Sequence, residues 1–412
     1  MIPCIYRRLD FQCLCDIEWL GRGVHLVLRS LISCIFQGVR YGFMWIINKV
    51  LGERPNKVVF SSFNGSAYSD NPRAISEALH EEQPNLDLVW LLKHASEKRG
   101  SIPPYIRCIK HNSFIALYEL ATAGVWVDNT TKASYVYKSS SQFYMQTWHG
   151  DRGFKTILLD SPNYAVSRRL VEQECNLMLS GSTHAERVYR SGFNYKGEFL
   201  RCGSPRNDIL IKNDSNEKAS LRSALGIPQG VKVLLYAPTY RREAAVRDCV
   251  QTLELDVSRT LDVLERAGDH WICLLRGHTK VLGLDGVDDD PRVLDATPWE
   301  DMAELLLIAD LLISDYSSSV GDFALTGRPI ILYQPDHARF SGERTFYFSI
   351  EDSPFWVARD QSALEARIES LSPEASAQND LNILKFFDAY ETGKATKSAA
   401  QVILEYCKKS KR

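Results

Sequence analysis

The sequence predicts an α/β protein with two doubly wound domains in tandem. Short, fully apolar runs alternate with helical segments from residue 57 to residue 203, a polar stretch at 211–220 interrupts them, and a second alternation starts at residue 231. Fully apolar strands that alternate with helices are typical of parallel sheets covered on both faces. The length of 412 residues also exceeds what one ordinary core accommodates.

The elements follow from the positions of these runs. In the first domain we predict strands at 57–62, 86–92, 105–109, 124–128, 143–147, 175–181 and 197–203, with helices at 71–82 and 112–123. In the second we predict strands at 231–239, 270–277, 291–295, 311–315 and 328–334, with helices near 252–267, 298–309, 318–326 and 361–371. The boundaries are 1–54 for an N-terminal segment, 55–225 for the first domain and 226–412 for the second. Ligands bind beyond the carboxyl ends of such strands, so we expect a cleft between the two domains.

The N-terminal segment is apolar and basic. Charged residues interrupt the apolar run 24–51, so no uncharged stretch approaches the ~20 residues that span a bilayer. A narrow polar stripe on a helix would contain His25, Arg29, Ser33, Gln37, Arg40 and Asn48. We expect an amphipathic helix in the plane of a membrane, with its arginines on lipid phosphates; the alternative is a helical hairpin packed on the protein's own core.

Composition and missing motifs exclude several classes. A net charge of −2 gives no argument for nucleic acid as a partner. The ten cysteines are scattered, which suits reduced thiols in the cytoplasm, and Cys4, Cys13 and Cys15 lack the usual zinc spacing. The sequence has neither a GxxxxGK[ST] loop nor a GxGxxG fingerprint, so P-loop enzymes and dinucleotide dehydrogenases are disfavoured.

Five predicted strand ends carry polar side chains suited to an anionic ligand. They are QTWHG (146–150), GSPRND (203–208), YAPTYRR (236–242), RGHTK (276–280) and DYSSSVGD (315–322). Arginine and histidine donate to phosphates, and the serines of 317–319 begin a helix whose free N–H groups suit an anion. Each motif alone is also explained by helix capping or by a solvated turn. Together they favour a nucleotide diphosphate in the cleft.

His149 is a candidate general base in this predicted cleft. Its imidazole, at the end of the 143–147 strand, faces the predicted cleft and can accept a proton from an attacking hydroxyl at neutral pH. A structural histidine with satisfied hydrogen bonds is the alternative.

In combination, these motifs resemble the CDP-glycerol glycerophosphotransferases of teichoic-acid and related polymer synthesis. The resemblance runs in order from about residue 57 to about residue 340 and includes FSSFNGSAYSDNPRAI at 60–75. It implies a GT-B architecture and peripheral attachment to the cytoplasmic face of the membrane; we expect no cofactor. It also implies transfer of glycerol phosphate from CDP-glycerol to a hydroxyl of a lipid-linked teichoic-acid-like or capsular acceptor, with release of CMP. We see no acidic cluster that demands a metal.

The resemblance also implies roles for individual residues. His149 matches the general base, and the substrate-binding positions are Trp148, Gly150, Asp151, Arg152, Arg206, Pro238, Thr239, Arg276, Gly277, His278, Ser317, Ser318 and Asp322. Of these, Arg276 and His278 are expected near the diphosphate, and the two serines and Asp322 near the diphosphate and the glycerol or its phosphate.

This chain departs from the family pattern directly after His149. The family usually reads His-Gly-Thr-Pro-Leu-Lys, whereas residues 149–155 read HGDRGFK. Asp151 is expected to orient His149 and Arg152 to bind the donor phosphate; alternatively, the change marks another donor such as CDP-ribitol. Two further alternatives are a GT-B glycosyltransferase that uses a nucleotide sugar and a non-catalytic, membrane-associated binding protein.

Overall fold

A computed structural model describes residues 33–133, 135–162, 175–239, 250–252, 254–277, 283–285 and 290–410. The strands are β1 Arg54–Ser61, β2 Asp87–Leu92, β3 Arg107–Lys110, β4 Ala123–Asp128, β5 Phe143–Gln146, β6 Leu177–Ser180, β7 Glu198–Arg201, β8 Lys232–Ala237, β9 Val250–Thr252, β10 Trp271–Leu275, β11 Gly283–Asp285, β12 Val293–Asp295, β13 Leu311–Ser314, β14 Ile330–Tyr333 and β15 Val357–Ala358.

The helices cover the sheets on both faces. They are α1 at 33–51, α2 Asp70–Glu82, α3 Ala95–Lys98, α4 Phe114–Thr122, α5 Thr183–Gly192, α6 Asp208–Lys212, α7 Ser215–Ala224, α8 Val257–Glu265, α9 Met302–Ile308, α10 Ser319–Phe323, α11 His337–Glu343, α12 Gln361–Glu369, α13 Pro373–Phe387 and α14 Ala395–Lys409. Several begin at a capping side chain; the Ser113 hydroxyl, for example, accepts from the Ala116 N–H at the start of α4.

The strands form two main parallel sheets. The first sheet has the order β3-β2-β1-β4-β5-β6-β7, and the second sheet has the order β12-β10-β8-β13-β14-β15. In each sheet the order reverses beside the first strand, between β1 and β4 and between β8 and β13. Ligands of doubly wound sheets bind at such switch points, beyond the carboxyl ends of the strands. The two switch points therefore position the site described below.

The predicted strands are confirmed. Each of the twelve predicted runs overlaps a strand of the structure, and the α/β class with parallel sheets holds; the short strands β9, β11 and β15 were not predicted. The predicted helix at 318–326 is a five-residue α-helix, α10, followed by a 3-10 turn at Ala324–Thr326.

The last helix differs from the predicted domain layout. The apolar side of α14, with Ala399, Ile403 and Cys407, is buried in the same cluster as Val58 and Phe60 of β1. The predicted boundary 226–412 therefore does not describe where α14 packs. The apolar periodicity of a helix shows that one face is buried, but it does not show which sheet covers that face.

Helix α1 packs on the first sheet's helix α4 and leaves an apolar face exposed. Met44 and Asn48 are buried, and the Arg40 guanidinium stacks over the Tyr135 ring. Of the stripe residues, Asn48 is buried, Arg40 is half-buried and Ser33 is exposed, while His25 and Arg29 lie outside the described residues. The contact of the arginines with lipid phosphates stays a prediction. The exposed side carries Ile35, Phe36, Val39, Tyr41, Trp45, Ile46, Val50 and Leu51. Within the described ranges, no helix is both long and apolar enough to cross a membrane.

Candidate active site

The loops at the two switch points meet around a cavity of about 170 Å³. Its lining includes Phe63, Asp70, His149 and Arg206 from the first-sheet side, and Arg276, Ser317, Ser318 and Asp322 from the second-sheet side. A neighbouring cavity of about 290 Å³ shares Asp70, Arg206 and Asp301 with it. Six of the sequence-predicted site residues therefore line one cavity, although they come from four separate segments of the chain.

His149 is held with one ring nitrogen committed. Its Nδ1 lies 2.6 Å from the carbonyl oxygen of Asn129, which can only accept, so Nδ1 carries the hydrogen in that bond. The neutral ring then keeps Nε2 as a proton acceptor. Burial lowers the pKa of His149; the Asn129 bond and the Asp70 carboxylate counter this effect, and Arg206 adds to it. The imidazole is therefore neutral at pH 7 and suited to act as a base.

The backbone that carries His149 is strained. Trp148 has a φ of 48°, a left-handed conformation that is rare for a bulky residue. Its N–H donates to the Gln146 side chain at 2.9 Å, and its indole packs edge-on to the Phe193 ring. A Cβ at Gly150 would lie 3.3 Å from Ser318 Oγ. Glycine at position 150 thus lets this loop approach the serines of the second-sheet side closely.

Arg206 lies between two carboxylates. Its Nη1 donates to Asp70 at 3.0 Å, while Nε and Nη2 donate to Oδ2 of Asp322 at 3.2 and 2.9 Å. These partners raise the pKa of Arg206 despite burial. Part of its positive charge is therefore compensated before any ligand arrives, and its orientation toward the cavity is fixed.

Asp151 and Arg152 do not reach the cavity. Asp151 accepts from the Gly181 N–H at 2.9 Å and makes no hydrogen bond to His149, whose orienting partner is the Asn129 carbonyl. Arg152 is fully buried and donates to Asp322 at 2.7 Å and to Glu391 at 3.0 Å. The expected role of Arg152 at a donor phosphate is therefore wrong, because its guanidinium is enclosed by carboxylates. The expected contact of Asp151 with His149 is also wrong, because the Asp151 carboxylate is held by the Gly181 N–H and by Arg152.

Three predicted positions of the second-sheet side are tied to neighbouring loops. The Thr239 N–H donates to the Asp315 carboxylate at 3.0 Å, with Pro238 directly before it. Arg276 lines the cavity while its Nη1 donates to the backbone carbonyl of Trp299, and burial lowers the pKa of this arginine. The Gly277 N–H donates to Thr297 at 2.9 Å. His278 lies outside the described residues.

The serines differ from ordinary helix caps. The Ser317 hydroxyl accepts from the Ser319 N–H at 3.3 Å and from the Ser319 hydroxyl at 2.9 Å. Ser318 occupies the N-cap position of α10, but its side chain makes no capping hydrogen bond. Because α10 has only five residues, its dipole is small, and the hydroxyls that line the cavity at its start are those of the three serines.

Sequence reasoning missed several residues of this arrangement. Asp70 and Asn71 lie in the segment 60–75 that carries the family resemblance, and Asn129 directly follows a predicted strand, so both places carried a usable signal. Glu391 had none. It lies between α13 and α14, and only the tertiary structure brings it to Arg152.

Comparisons with known proteins agree with the motifs. The model of the family described as CDP-Glycerol:Poly(glycerophosphate) glycerophosphotransferase matches residues 43–405. The chain belongs to this family. It is therefore an enzyme of the CDP-glycerol glycerophosphotransferase class, among the transferases of teichoic acid biosynthesis.

Individual relatives support this assignment. The teichoic acid glycerol-phosphate transferase of Staphylococcus aureus is 30% identical over 378 residues, covering 87% of this chain and 95% of the relative. The teichoic acid ribitol-phosphate primase of Bacillus spizizenii is 25% identical over 392 residues, covering 92% and 98%. A solved structure of the wall teichoic acid polymerase TagF superposes with a TM-score of 0.81 at 25% identity, covering 95% of this chain and 99% of that one.

Proposed function

We propose that this enzyme transfers glycerol phosphate from CDP-glycerol to a hydroxyl of a lipid-linked acceptor, and that His149 is the general base. The observation that carries the proposal is the 2.6 Å bond of Nδ1 to the Asn129 carbonyl. It leaves Nε2 of a neutral imidazole as the proton acceptor in a cavity whose lining includes Arg206, Arg276, Ser317 and Ser318.

The proposed reaction is a displacement at phosphorus. Nε2 takes the proton of the acceptor hydroxyl, whose oxygen bonds to the β-phosphorus of CDP-glycerol. The bond from that phosphorus to the bridging oxygen breaks, and CMP leaves with the electron pair. Arg206, Arg276 and the two serine hydroxyls stabilise the charge that develops on the phosphate oxygens. The reaction needs no cofactor in this proposal, and we expect activity to persist in EDTA.

The carboxylates of the cavity suit the polyol. Asp70, Asp301 and Asp322 line it beside the basic groups, and carboxylates accept hydrogen bonds from hydroxyls. A donor that carries both a diphosphate and a polyol matches this mixed lining. CDP-ribitol is the second candidate donor, because a ribitol-phosphate primase is among the relatives; the higher identity to the glycerol-phosphate transferase favours CDP-glycerol.

The test is CMP release from CDP-glycerol with a lipid-linked glycerol-phosphate acceptor. We expect His149→Ala to lower kcat by about 10²–10⁴-fold. The control is His270→Ala, because the His270 side chain is 88% exposed and lies in the second-sheet part. In the wild type, kcat/KM should rise with pH through a value below the ordinary imidazole pKa of about 6.5, and then level off. Equal activity of wild type and His149→Ala would reject the base, and consumption of CDP-ribitol alone would reject the donor.

We also propose that the exposed face of α1 attaches the enzyme peripherally to the cytoplasmic face of the membrane, where a lipid-linked acceptor is reached. The support is the row of exposed apolar side chains from Ile35 to Leu51. In vesicle sedimentation we expect Ile46→Glu with Val50→Glu to release the protein. Leu381→Glu is the control, since Leu381 is an exposed apolar residue on α13, away from α1. Equal sedimentation of the double variant and the wild type would reject the proposal.

A further inference from the structure

The first residues of α2 connect the segments that carry the proposed catalytic groups. Asn71 is 1% exposed, and its Nδ2 donates to the carbonyl oxygen of Trp148 at 3.0 Å. That carbonyl belongs to the peptide directly before His149. The Oδ1 of the same carboxamide accepts the backbone N–H of Arg206 at 3.0 Å. One side chain thus fixes the backbone at both His149 and Arg206.

Asp70 links the same segments through an ion pair with Arg206 and a hydrogen bond of its backbone N–H. Its Oδ2 accepts from Nη1 of Arg206 at 3.0 Å, and its backbone N–H donates to Asp301 of the second-sheet side at 3.3 Å. Asp70 has a φ of 67°, and left-handed backbone costs free energy for any residue with a side chain. Such a conformation persists where the surrounding contacts over-determine it, and these places cluster at functional sites.

We propose that Asp70 and Asn71 are positioning residues of the transfer reaction: Asn71 sets the backbone that carries His149, and Asp70 sets the charge and orientation around it. This inference rests on the proposed function of His149. Neither residue is expected to exchange a proton with the substrate. The pair acts through the two residues it holds, as outer hydrogen-bond partners do at metal centres.

The charge of Asp70 has a predictable sign. Asp70 favours the protonated imidazole and counters burial and Arg206, so loss of its carboxylate should lower the pKa of His149 further. The other charged groups around His149 are Lys155 on its own loop, Arg206 after β7, and Arg276, Glu300, Asp301 and Asp322 across the cavity. Asp70→Asn should also leave Arg206 less compensated, which acts in the same direction. The acidic limb of kcat/KM should therefore move to lower pH, and the weaker base should lower kcat.

The experiment combines kinetics with a titration that needs no turnover. The probes are CDP-glycerol for the kinetics and ring-¹³C histidine for NMR, with the His149 signal assigned by its loss in His149→Gln. For Asp70→Asn we expect a lower pKa of His149 and a fall in kcat of about tenfold, with KM for CDP-glycerol within about twofold. For Asn71→Ala we expect a fall in kcat of about 10²-fold, because a small misplacement of the base is enough to cause it.

Controls separate positioning from a general loss of structure. Glu119→Gln removes a carboxylate that is also buried in the first-sheet part but pairs with Lys57 away from the cavity. It should lower the melting temperature and leave both the His149 pKa and the pH profile unchanged. If Asp70→Asn does not fold, Asp70→Gly replaces it, because glycine adopts a φ of 67° without strain.

Two results would overturn the inference: an unchanged His149 pKa in Asp70→Asn, or a change in kcat by Asn71→Ala no larger than that by Glu119→Gln. Wild-type protein that releases no CMP would instead reject the proposed function. The NMR titration would then still decide whether Asp70 sets the charge around His149.

Discussion

The two sides of the cavity differ in how their residues are held. On the first-sheet side Phe63, Asn64, Asp70 and Trp148 all have left-handed φ values, between 48° and 67°. On the second-sheet side, no described non-glycine residue that lines the cavity has such a φ. Left-handed backbone costs roughly 1–3 kcal/mol for bulky residues such as Phe63 and Trp148, so the first-sheet side of the cavity carries strain beside the proposed base. The second-sheet side presents its serines and Arg276 from ordinary strand-end loops.

This difference indicates two ways of building one site. The phosphate-facing groups need donors at the ends of parallel strands, and the doubly wound topology supplies those ends. The base needs one orientation and one tautomer, and the strained loops with their hydrogen bonds to Asn71 and Asn129 supply them. Arg152 connects the two sides, because it pairs Asp322 after β13 with Glu391 before α14.

The largest expected effect comes from removing the Arg152 guanidinium, which pairs with both Asp322 and Glu391. Arg152→Met should lower the free energy of unfolding by about 3–5 kcal/mol, because it leaves the buried Glu391 carboxylate without its cation and Asp322 with Arg206 alone. Denaturant unfolding measures it. In the double variant Arg152→Met with Glu391→Gln, the loss should be smaller than the sum of the two single losses.

Arg201→Met is the control for this prediction. The Arg201 side chain is 68% exposed and also pairs with a glutamate, Glu186. Its loss should be clearly smaller than that of Arg152, since solvent screens an exposed pair. Equal losses for the two arginines would show that the buried network does not hold the two sides together.

The next largest effect is expected at Ser318, and it tests whether the second-sheet side uses this hydroxyl to bind the donor. Because its hydroxyl makes no capping bond, Ser318→Ala should keep the melting temperature while kcat/KM for CDP-glycerol falls by about tenfold, the value of one hydrogen bond to a charged group. Ser372 is the matched control, since its hydroxyl caps α13 through the Ala375 N–H. Ser372→Ala should cost about 1 kcal/mol of stability without a kinetic change. If Ser318→Ala instead lowered the melting temperature and left kcat/KM unchanged, Ser318 would be a structural residue.

The smallest expected effect tests whether the left-handed backbone at Asn64 is strained for residues with a branched side chain. Asn64 has φ 54° and ψ 41°, a conformation that asparagine and glycine tolerate and β-branched residues do not. Asn64→Gly should change the free energy of unfolding by less than about 0.5 kcal/mol, whereas Asn64→Val should lower it by about 1–2 kcal/mol. Thermal unfolding of the two variants provides the measurement. If Asn64→Val is as stable as Asn64→Gly, the left-handed conformation at this position does not store strain.

Much of the fold and part of the site were predictable from the sequence. Runs such as 57–62 and 311–315 are apolar on both faces, and only a covered parallel strand buries both faces at that length. The polar residues that follow these strands were predictable as site residues because parallel strands end at one common edge. His149, Arg206, Arg276, Ser317, Ser318 and Asp322 meet at the cavity for this reason.

The predictions for Asp151, Arg152 and α14 failed because the answer depended on distant partners. Asp151 and Arg152 are charged and follow His149 directly, so sequence placed them at the ligand; Glu391, more than 200 positions later, places Arg152 in the interior. The sequence of α14 would be amphipathic whichever sheet the helix packs on. Only the tertiary structure shows that its apolar side is buried in the cluster of the first sheet.

The sequence by itself determined twelve of the fifteen strands of the described residues, their parallel class and the identity of the polar groups at the strand ends, because those depend on local patterns of apolar and polar residues. Only the tertiary structure decided which charges are paired, which nitrogen of His149 is free, and how Asp70 and Asn71 hold it. Those properties depend on contacts between residues far apart in the chain, and no local pattern records them.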